Sequence, residues 1–455
     1  MHNLLNDAAQ RALRYLDELD ARSVAPSAEA VAGLSRFQEP LPETSMEPRD
    51  VLALLDQIGS PATVATAGSR FFGFVTGGVL PATLAANWLA AAWDQNASMV
   101  VLSPVGAALE DVVLAWLRQL FHLPAGSGGA LVTGGTMANF TGIAAARHAL
   151  LNGVGWDVEA QGLFGAPPIT VIVGEEVHVS MLKALGLAGL GRERVVRVPA
   201  DSQGRMRADK LPKLAGPTLI CTQAGNVNSG AFDPVGEICA RAHEAGAWVH
   251  VDGAFGLWAA AARERKHLVE GVELADSWAT DCHKWLNVPH DSGIALVRDE
   301  QHLVGAIRST AAYLVHGEQR EPHHHTPEAS RRARGIEVWA ALRSLGRSGL
   351  EDMIERTCRH ASRFAQGLRA AGYEILNNVV LNQVLVSFGD DETTRRVIAA
   401  IQQDGTCWCG GTVWHGRAVM RISVSSWATR DEDVDRSLAA MIRCARSLGV
   451  VKNNS

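Results

Sequence analysis

Between about residue 75 and residue 309 the chain alternates near-continuous apolar, β-branched runs with helical periods, and this alternation most constrains its fold. The runs fall at residues 169–173, 218–221, 248–251 and 293–297, each ending at a Gly-rich or polar turn. A strand that is apolar on both faces must be covered on both. The pattern therefore predicts an α/β fold with a mainly parallel sheet and helices on either side. At 455 residues the chain is too long for one ordinary core, so two or three domains are expected. Hydrophobic residues at 47% and charged residues at 20% exclude a disordered or fibrous chain.

The flanks read differently. Residues 1–22 predict an amphipathic helix, with Leu5, Ala8, Ala12, Leu16 and Leu19 at three- and four-residue steps, followed by a Pro- and Ser-containing linker over residues 25–48. A lone helix cannot bury its stripe, so this arm reads as a docking element. Residues 310–335 are polar and aperiodic, and predict a mobile loop carrying Arg320, Glu321, Pro322 and His323-His324-His325. Helices over 335–345 and 350–371, strands over 384–388 and 419–424 and a terminal helix over 431–448 predict a small C-terminal α+β domain. The expected division is an N-terminal helical arm and substrate segment at 1–75, a large α/β domain at 76–335 including a mobile loop at 313–330, and a small domain at 336–455.

Several classes of partner are not expected. Lys and Arg are spread along a chain of net charge −6, which does not suit a nucleic acid partner. The N-terminus lacks a basic stretch followed by an apolar run. The apolar segment 79–93 is interrupted by Pro81 and Asn87 and is too short for a bilayer, so no membrane partner is expected. Seven scattered cysteines suit reduced thiols and a cytoplasmic location better than a disulfide framework. No metal is expected: Cys407-Trp408-Cys409 lacks a second ligand pair, and three adjacent histidines rarely converge on one ion.

Three segments carry chemistry. Thr133-Gly134-Gly135-Thr136-Met137-Ala138-Asn139 opens a helical stretch, where free N–H groups and the helix dipole favour a phosphate; a plain turn before a helix gives the same pattern. His250-Val251-Asp252-Gly253-Ala254 closes an apolar strand, so Asp252 stands where α/β proteins bind ligands, or serves as a helix cap. In Asp281-Cys282-His283-Lys284-Trp285, Lys284 sits in an apolar stretch, either desolvated for Schiff-base chemistry or snorkelling from a strand end.

Their order and separation resemble the group II pyridoxal-phosphate-dependent decarboxylases, which act on aromatic amino acids, glutamate and diaminobutyrate. The resemblance extends over roughly residues 50–445. It includes Phe71-Phe72-Gly73-Phe74 with Leu80-Pro81, Ser103-Pro104, His178, Gly225-Asn226, and Ser330-Arg331-Arg332-Ala333-Arg334 with Trp339. It implies the fold-type I pyridoxal-phosphate transferase architecture, a homodimer, and pyridoxal 5'-phosphate as cofactor. It further implies that Lys284 carries the cofactor as a Schiff base, that Asp252 stands at the pyridine nitrogen, and that His178 stacks on the ring with Ala254 on the other face. Gly135, Thr136 and His283 hold the phosphate, and Asn226 and Asp281 border the cofactor.

Thr76 and His178 are candidates to orient the substrate carboxylate. Arg421 is a candidate carboxylate fork or, equally, half of a structural ion pair. Phe74, with Phe71, Phe72, Trp88 and Trp93, lines either an aromatic substrate pocket or plain core and interface. The implied reaction is decarboxylation of an L-amino acid, slightly favouring aromatic or bulky ones, to the amine and CO2.

Two departures from the family stand out. Its Gly-Thr-Thr is Gly225-Asn226-Val227 here, and its Asn-Pro before His-Lys is Asp281-Cys282. The family's loop Tyr is matched only by Tyr313, which reads as the start of the loop, so His324 or His325 is the candidate acid. Without such an acid the same scaffold would support oxidative decarboxylation-deamination, carbon–carbon cleavage or transamination.

Overall fold

The computed structural model describes residues 1–308 and 319–450. The chain divides into two compact units, one built from Val79–Ala361 with Asn377–Gln383, the other from Met1–Gly78, Ser362–Leu376 and the chain from Val384 on.

The larger unit is built on seven strands: β1 (Gly128–Val132), β2 (Thr170–Gly174), β3 (Val196–Val198), β4 (Thr218–Gln223), β5 (Trp248–Asp252), β6 (Ser277–Asp281) and β7 (Gly293–Val297). Their order across the sheet is β1-β7-β6-β5-β4-β2-β3. β7 runs antiparallel to both its neighbours and the other pairs are parallel. The sheet is therefore mostly parallel, as the apolar runs predict. Every residue of β4, β5, β6 and β7 is buried, as strands covered on both faces must be. The helix Gly135–Asn152 packs across β5, β6 and β7. Its Ala144-Ala145-Ala146 run is wholly buried and lets the helix approach closely.

Because β1 and β6 both run opposite to β7, the carboxyl ends of β1, β6, β5, β4 and β2 share one edge of the sheet. That edge carries the site.

The other unit holds a sheet of β8 (Glu374–Ile375), β9 (Gln383–Ser387), β10 (Gly410–Trp414) and β11 (Arg417–Ser423), in the order β10-β11-β9-β8. The helices Asp391–Asp404 and Asp431–Ser447 belong to it. So does the N-terminal segment, which the local pattern set apart as an arm. Val24 N–H donates to Gly405 O at 2.9 Å, Phe72 N–H to Trp408 O at 2.8 Å, and Ser423 N–H to Phe72 O at 2.9 Å. Pairings between segments more than 300 residues apart leave no trace in local periodicity. The expected boundary at 335/336 also differs. The span Gly335–Ala370 is helical apart from a break at Gly346, and the division falls within it at 361/362.

The first helix is His2–Asp17, shorter than the periodicity suggests. It buries no residue and is tied to the helix Pro48–Ala62 by Arg11 and Asp56 at 2.9 Å. No helix among the described residues is long and apolar enough to cross a membrane.

Candidate active site

The carboxyl edge of the large sheet gathers nine of the candidate residues. Gly135 and Thr136 follow β1, His178 follows β2, Asn226 follows β4, Asp252 ends β5 with Ala254 just beyond, and Asp281, His283 and Lys284 follow from β6. Ligands bind at such edges because loops and helix N-termini, with their free polar groups, converge there.

Lys284 does not snorkel. Its Nζ lies 2.8 Å from Asp281 Oδ2, and the Asp281 side chain is only 2% exposed. Asp281 also abuts the turn after β1: a Cβ on Gly135 would lie 2.7 Å from Asp281 Oδ2. Glycine is thus required where the first turn of the helix Gly135–Asn152 meets this carboxylate. That turn leaves amides free to bind an anion.

His283 stacks on His290 at 4.3 Å, and its Nδ1 accepts a hydrogen bond from Ser292 N–H at 3.2 Å. Burial pulls its pKa below the ordinary imidazole value. The neutral ring, with Nδ1 accepting, carries its proton on Nε2, a donor facing the same edge.

Asp252 is buried and held from two sides. Oδ2 accepts from Asn139 Nδ2 at 3.0 Å and Oδ1 accepts from Ala254 N–H at 3.1 Å. Asn139 was legible only as the last residue of the glycine-rich segment, and nothing local marks its partner 113 positions on. His178 caps the helix Val179–Leu187: its Nδ1 accepts from Ser180 N–H at 3.2 Å and lies 2.7 Å from Ser180 Oγ. This fixes the ring's orientation at the end of β2.

Two polar atoms at this edge test whether a cofactor fits. Asn226 is 2% exposed, and its Oδ1 accepts from the N–H groups of Asn228 and Ser229 at 2.9 and 3.2 Å. Its Nδ2 is buried without a hydrogen-bond partner, as is Asp281 Oδ1. Buried polar atoms are seldom left unmade. A helix N-terminus with a neutral imidazole donor, an orphaned amide donor, a carboxylate and an amine are the kinds of group that the phosphate, ring oxygen, ring nitrogen and aldehyde of pyridoxal phosphate would need.

The structure does not bring His324 and His325 to this edge of the chain, and the described part of the expected loop is packed. His325 Nε2 lies 2.9 Å from Glu300 Oε1, and its Nδ1 faces Glu321 O at 3.1 Å. Glu300 adjoins Gly128, whose register partner is Val297, whereas Val132 pairs with Gly293 and so does Asp281. His325 therefore sits at the amino end of β1, about 13 Å along the strand from the glycine turn. His324 lies in a short 3-10 turn, Pro322–His324, with its ring 4.1 Å from that of His323. Arg320 and Arg331 fasten the segment to Glu110 at 3.1 and 2.7 Å. The polar residues that read as a mobile loop instead include two arginines paired with the buried Glu110 and a buried histidine held to Glu300. Tyr313 lies outside the described residues.

Phe74, Thr76 and Arg421 belong to the other unit. Phe74 is 65% exposed at φ +55° and stacks on Trp408 at 5.3 Å, and Phe71 stacks on the same indole at 5.0 Å. Val75 follows at φ +59°, a costly conformation for a β-branched residue. Arg421 lies on β11 in register with Gly410, and burial lowers its pKa below the ordinary guanidinium value. All seven cysteines are buried and free of disulfides, and no metal-sized cluster of His, Cys, Asp and Glu occurs among the described residues.

Known proteins resemble this chain over most of its length. L-2,4-diaminobutyrate decarboxylase of Rhizobium meliloti is 29% identical, with 93% of this chain and 87% of the relative covered. Tryptophan decarboxylase 1 of Oryza sativa is 28% identical, covering 84% and 81%. The crystal structure of Oryza sativa TDC with PLP and tryptamine superimposes with a TM-score of 0.90 at 23% identity, covering 98% of each chain. That of Rhodiola rosea 4-hydroxyphenylacetaldehyde synthase gives 0.84 at 22%, covering 97% of each. The family described as the pyridoxal-dependent decarboxylase conserved domain matches residues 41–389. The chain belongs to the pyridoxal-dependent decarboxylase family.

Proposed function

We propose that this pyridoxal-phosphate-dependent carboxy-lyase removes CO2 from an aromatic or otherwise bulky L-amino acid to give the amine, with the cofactor bonded to Lys284. The observation that carries the reading is the Lys284 amine, 2.8 Å from the buried Asp281, at the sheet edge where Asp252 and the glycine turn also end.

Bound there, pyridoxal phosphate supplies an electron sink for the pair released as the carboxyl group leaves. The protein's part is to hold and orient. The amides after Gly134, Thr136 and the Nε2–H of His283 bind the phosphate. Asp252 keeps a proton on the ring nitrogen, which needs a carboxylate whose own oxygens are fixed. Asn226 Nδ2 donates to an oxygen of the cofactor, and Ala254 and His178 bound the ring. Lys284 would hold the cofactor through its Nζ. Phe74, Thr76 and Arg421 are the side chains proposed to meet the substrate.

The test is a screen of cofactor-loaded protein against the L-amino acids, recording CO2, amine, aldehyde and peroxide together. CO2 and an equal amount of amine is the expected result. CO2 with aldehyde and peroxide would replace the proposal with oxidative decarboxylation-deamination, and no CO2 from any amino acid would overturn it. The fold does not choose between these outcomes, since an aldehyde synthase shares it.

A further inference from the structure

Beneath the helix Gly135–Asn152 runs a row of polar side chains in a place where apolar ones would pack more simply. Trp248, His250 and Asp252 alternate along β5 and so share one face. Ser277, on β6, is the register partner of His250. Asn139 reaches the row from the helix. All five residues are buried.

Their hydrogen bonds have a determined direction. The indole can only donate, so Trp248 Nε1–H donates to Ser277 Oγ at 2.9 Å. At the other end, the Asp252 carboxylate can only accept, so Asn139 presents Nδ2 to it at 3.0 Å and turns Oδ1 toward His250 Nε2, also at 3.0 Å. His250 must then carry its proton on Nε2 and accept at Nδ1 from the Ser277 hydroxyl at 2.8 Å. Every donor in the row points toward Asp252. The ring stays neutral, since burial pushes its pKa down to about 3. The helix makes room for it with a glycine: a Cβ on Gly142, one turn beyond Asn139, would lie 2.6 Å from His250 Cε1.

We propose that Ser277, His250 and Asn139 are positioning residues that set the tautomer and amide orientation presented to Asp252, and through it the binding of the cofactor ring. The inference rests on the assignment of Asp252 to that ring. Removing the Ser277 hydroxyl leaves His250 Nδ1 a buried acceptor without its donor. The ring is then held from the Asn139 side alone, and the Asn139 amide that rests on it loses its fixed orientation toward Asp252. A change beyond Asn139 and His250 is thereby relayed to the cofactor site.

The experiment compares Ser277→Ala, Trp248→Phe and Asp252→Ala with the parent holoenzyme, reading cofactor dissociation constant and visible absorption band. Ser277→Ala is expected to weaken cofactor retention about tenfold or more and to shift the band. Trp248→Phe removes more packing but leaves the Ser277-to-His250 direction intact, and is expected to stay within about twofold. A packing role alone gives the reverse ranking. Parent-like retention in Ser277→Ala, with Asp252→Ala impaired, would overturn the relay but not the assignment of Asp252. Parent-like retention in Asp252→Ala would overturn both. Should Ser277→Ala not fold, 15N spectra of histidine-labelled parent, assigned with His250→Gln, still decide: a neutral ring protonated at Nε2 from about pH 6 to 8 is expected, and protonation at Nδ1 would overturn the relay.

Discussion

Lys284 and Asn226 illustrate how differently two residues of one site can be read. A lysine between histidine and tryptophan in an apolar stretch is conspicuous in any sequence, and its ion pair with the buried Asp281 spans a three-residue spacing off the end of β6. Asn226 carries no signal of its own type and enters the sequence reading only through the family resemblance; in space its carboxamide oxygen is satisfied twice and its nitrogen is buried without a hydrogen-bond partner. Lys284→Ala is expected to abolish the covalent visible band of the bound cofactor, checked by absorption after gel filtration. Asn226→Ala removes one buried donor, expected to cost about 1 kcal/mol and hence roughly fivefold in cofactor affinity, measured by titration of the unloaded protein.

At the scale of elements, what was legible was whatever a strand and its following turn encode locally. The runs ending at Asp252 and Asp281 and the glycine turn before the helix Gly135–Asn152 are each one continuous piece of chain, so pattern and site coincide. The rest depends on partners far away in sequence. Asn139 meets Asp252 across 113 residues, Phe72 pairs with residues 408 and 423, and the polar segment after residue 318 is held by Glu110 and Glu300. Charge composition alone cannot distinguish a mobile loop from one fastened by ion pairs to buried carboxylates. His325→Ala is therefore expected to lower stability by about 1–3 kcal/mol in denaturant titrations, leaving a buried carbonyl and Glu300 without their partner, while cofactor loading is unchanged. Gly142→Ala forces a methyl against the His250 ring, with an expected loss of about 1–3 kcal/mol and a cofactor spectrum displaced with it.

For the molecule as a whole, two buried groups make stability depend on pH in opposite senses. His250 has its pKa depressed from 6.5 to about 3, so the unfolded chain takes up a proton that the folded chain refuses. Its contribution is intact above pH 6.5 and is lost as pH falls toward 3, by about 1.4 kcal/mol per unit. Asp233 has its pKa raised by burial from 3.8 to about 6, and its contribution is present below 3.8 and lost as pH rises through 6. The two offset each other between about pH 6 and 4, which hides both in the parent. The difference in unfolding free energy between parent and His250→Gln exposes the histidine alone. It is expected to be flat above pH 7 and to shrink steadily below 6.5, and a difference that does not change with pH would contradict a buried neutral ring. The family resemblance also implies a homodimer, and sedimentation equilibrium is expected to give twice the 48.6 kDa chain mass.

Lys284 is the residue expected to hold the cofactor, and borohydride reduction of the loaded protein followed by peptide mass mapping tests this directly. The expected result is one pyridoxyl-phosphate adduct per chain, on the peptide containing Asp281-Cys282-His283-Lys284. An adduct on any other lysine, or full labelling of Lys284→Ala, would contradict it.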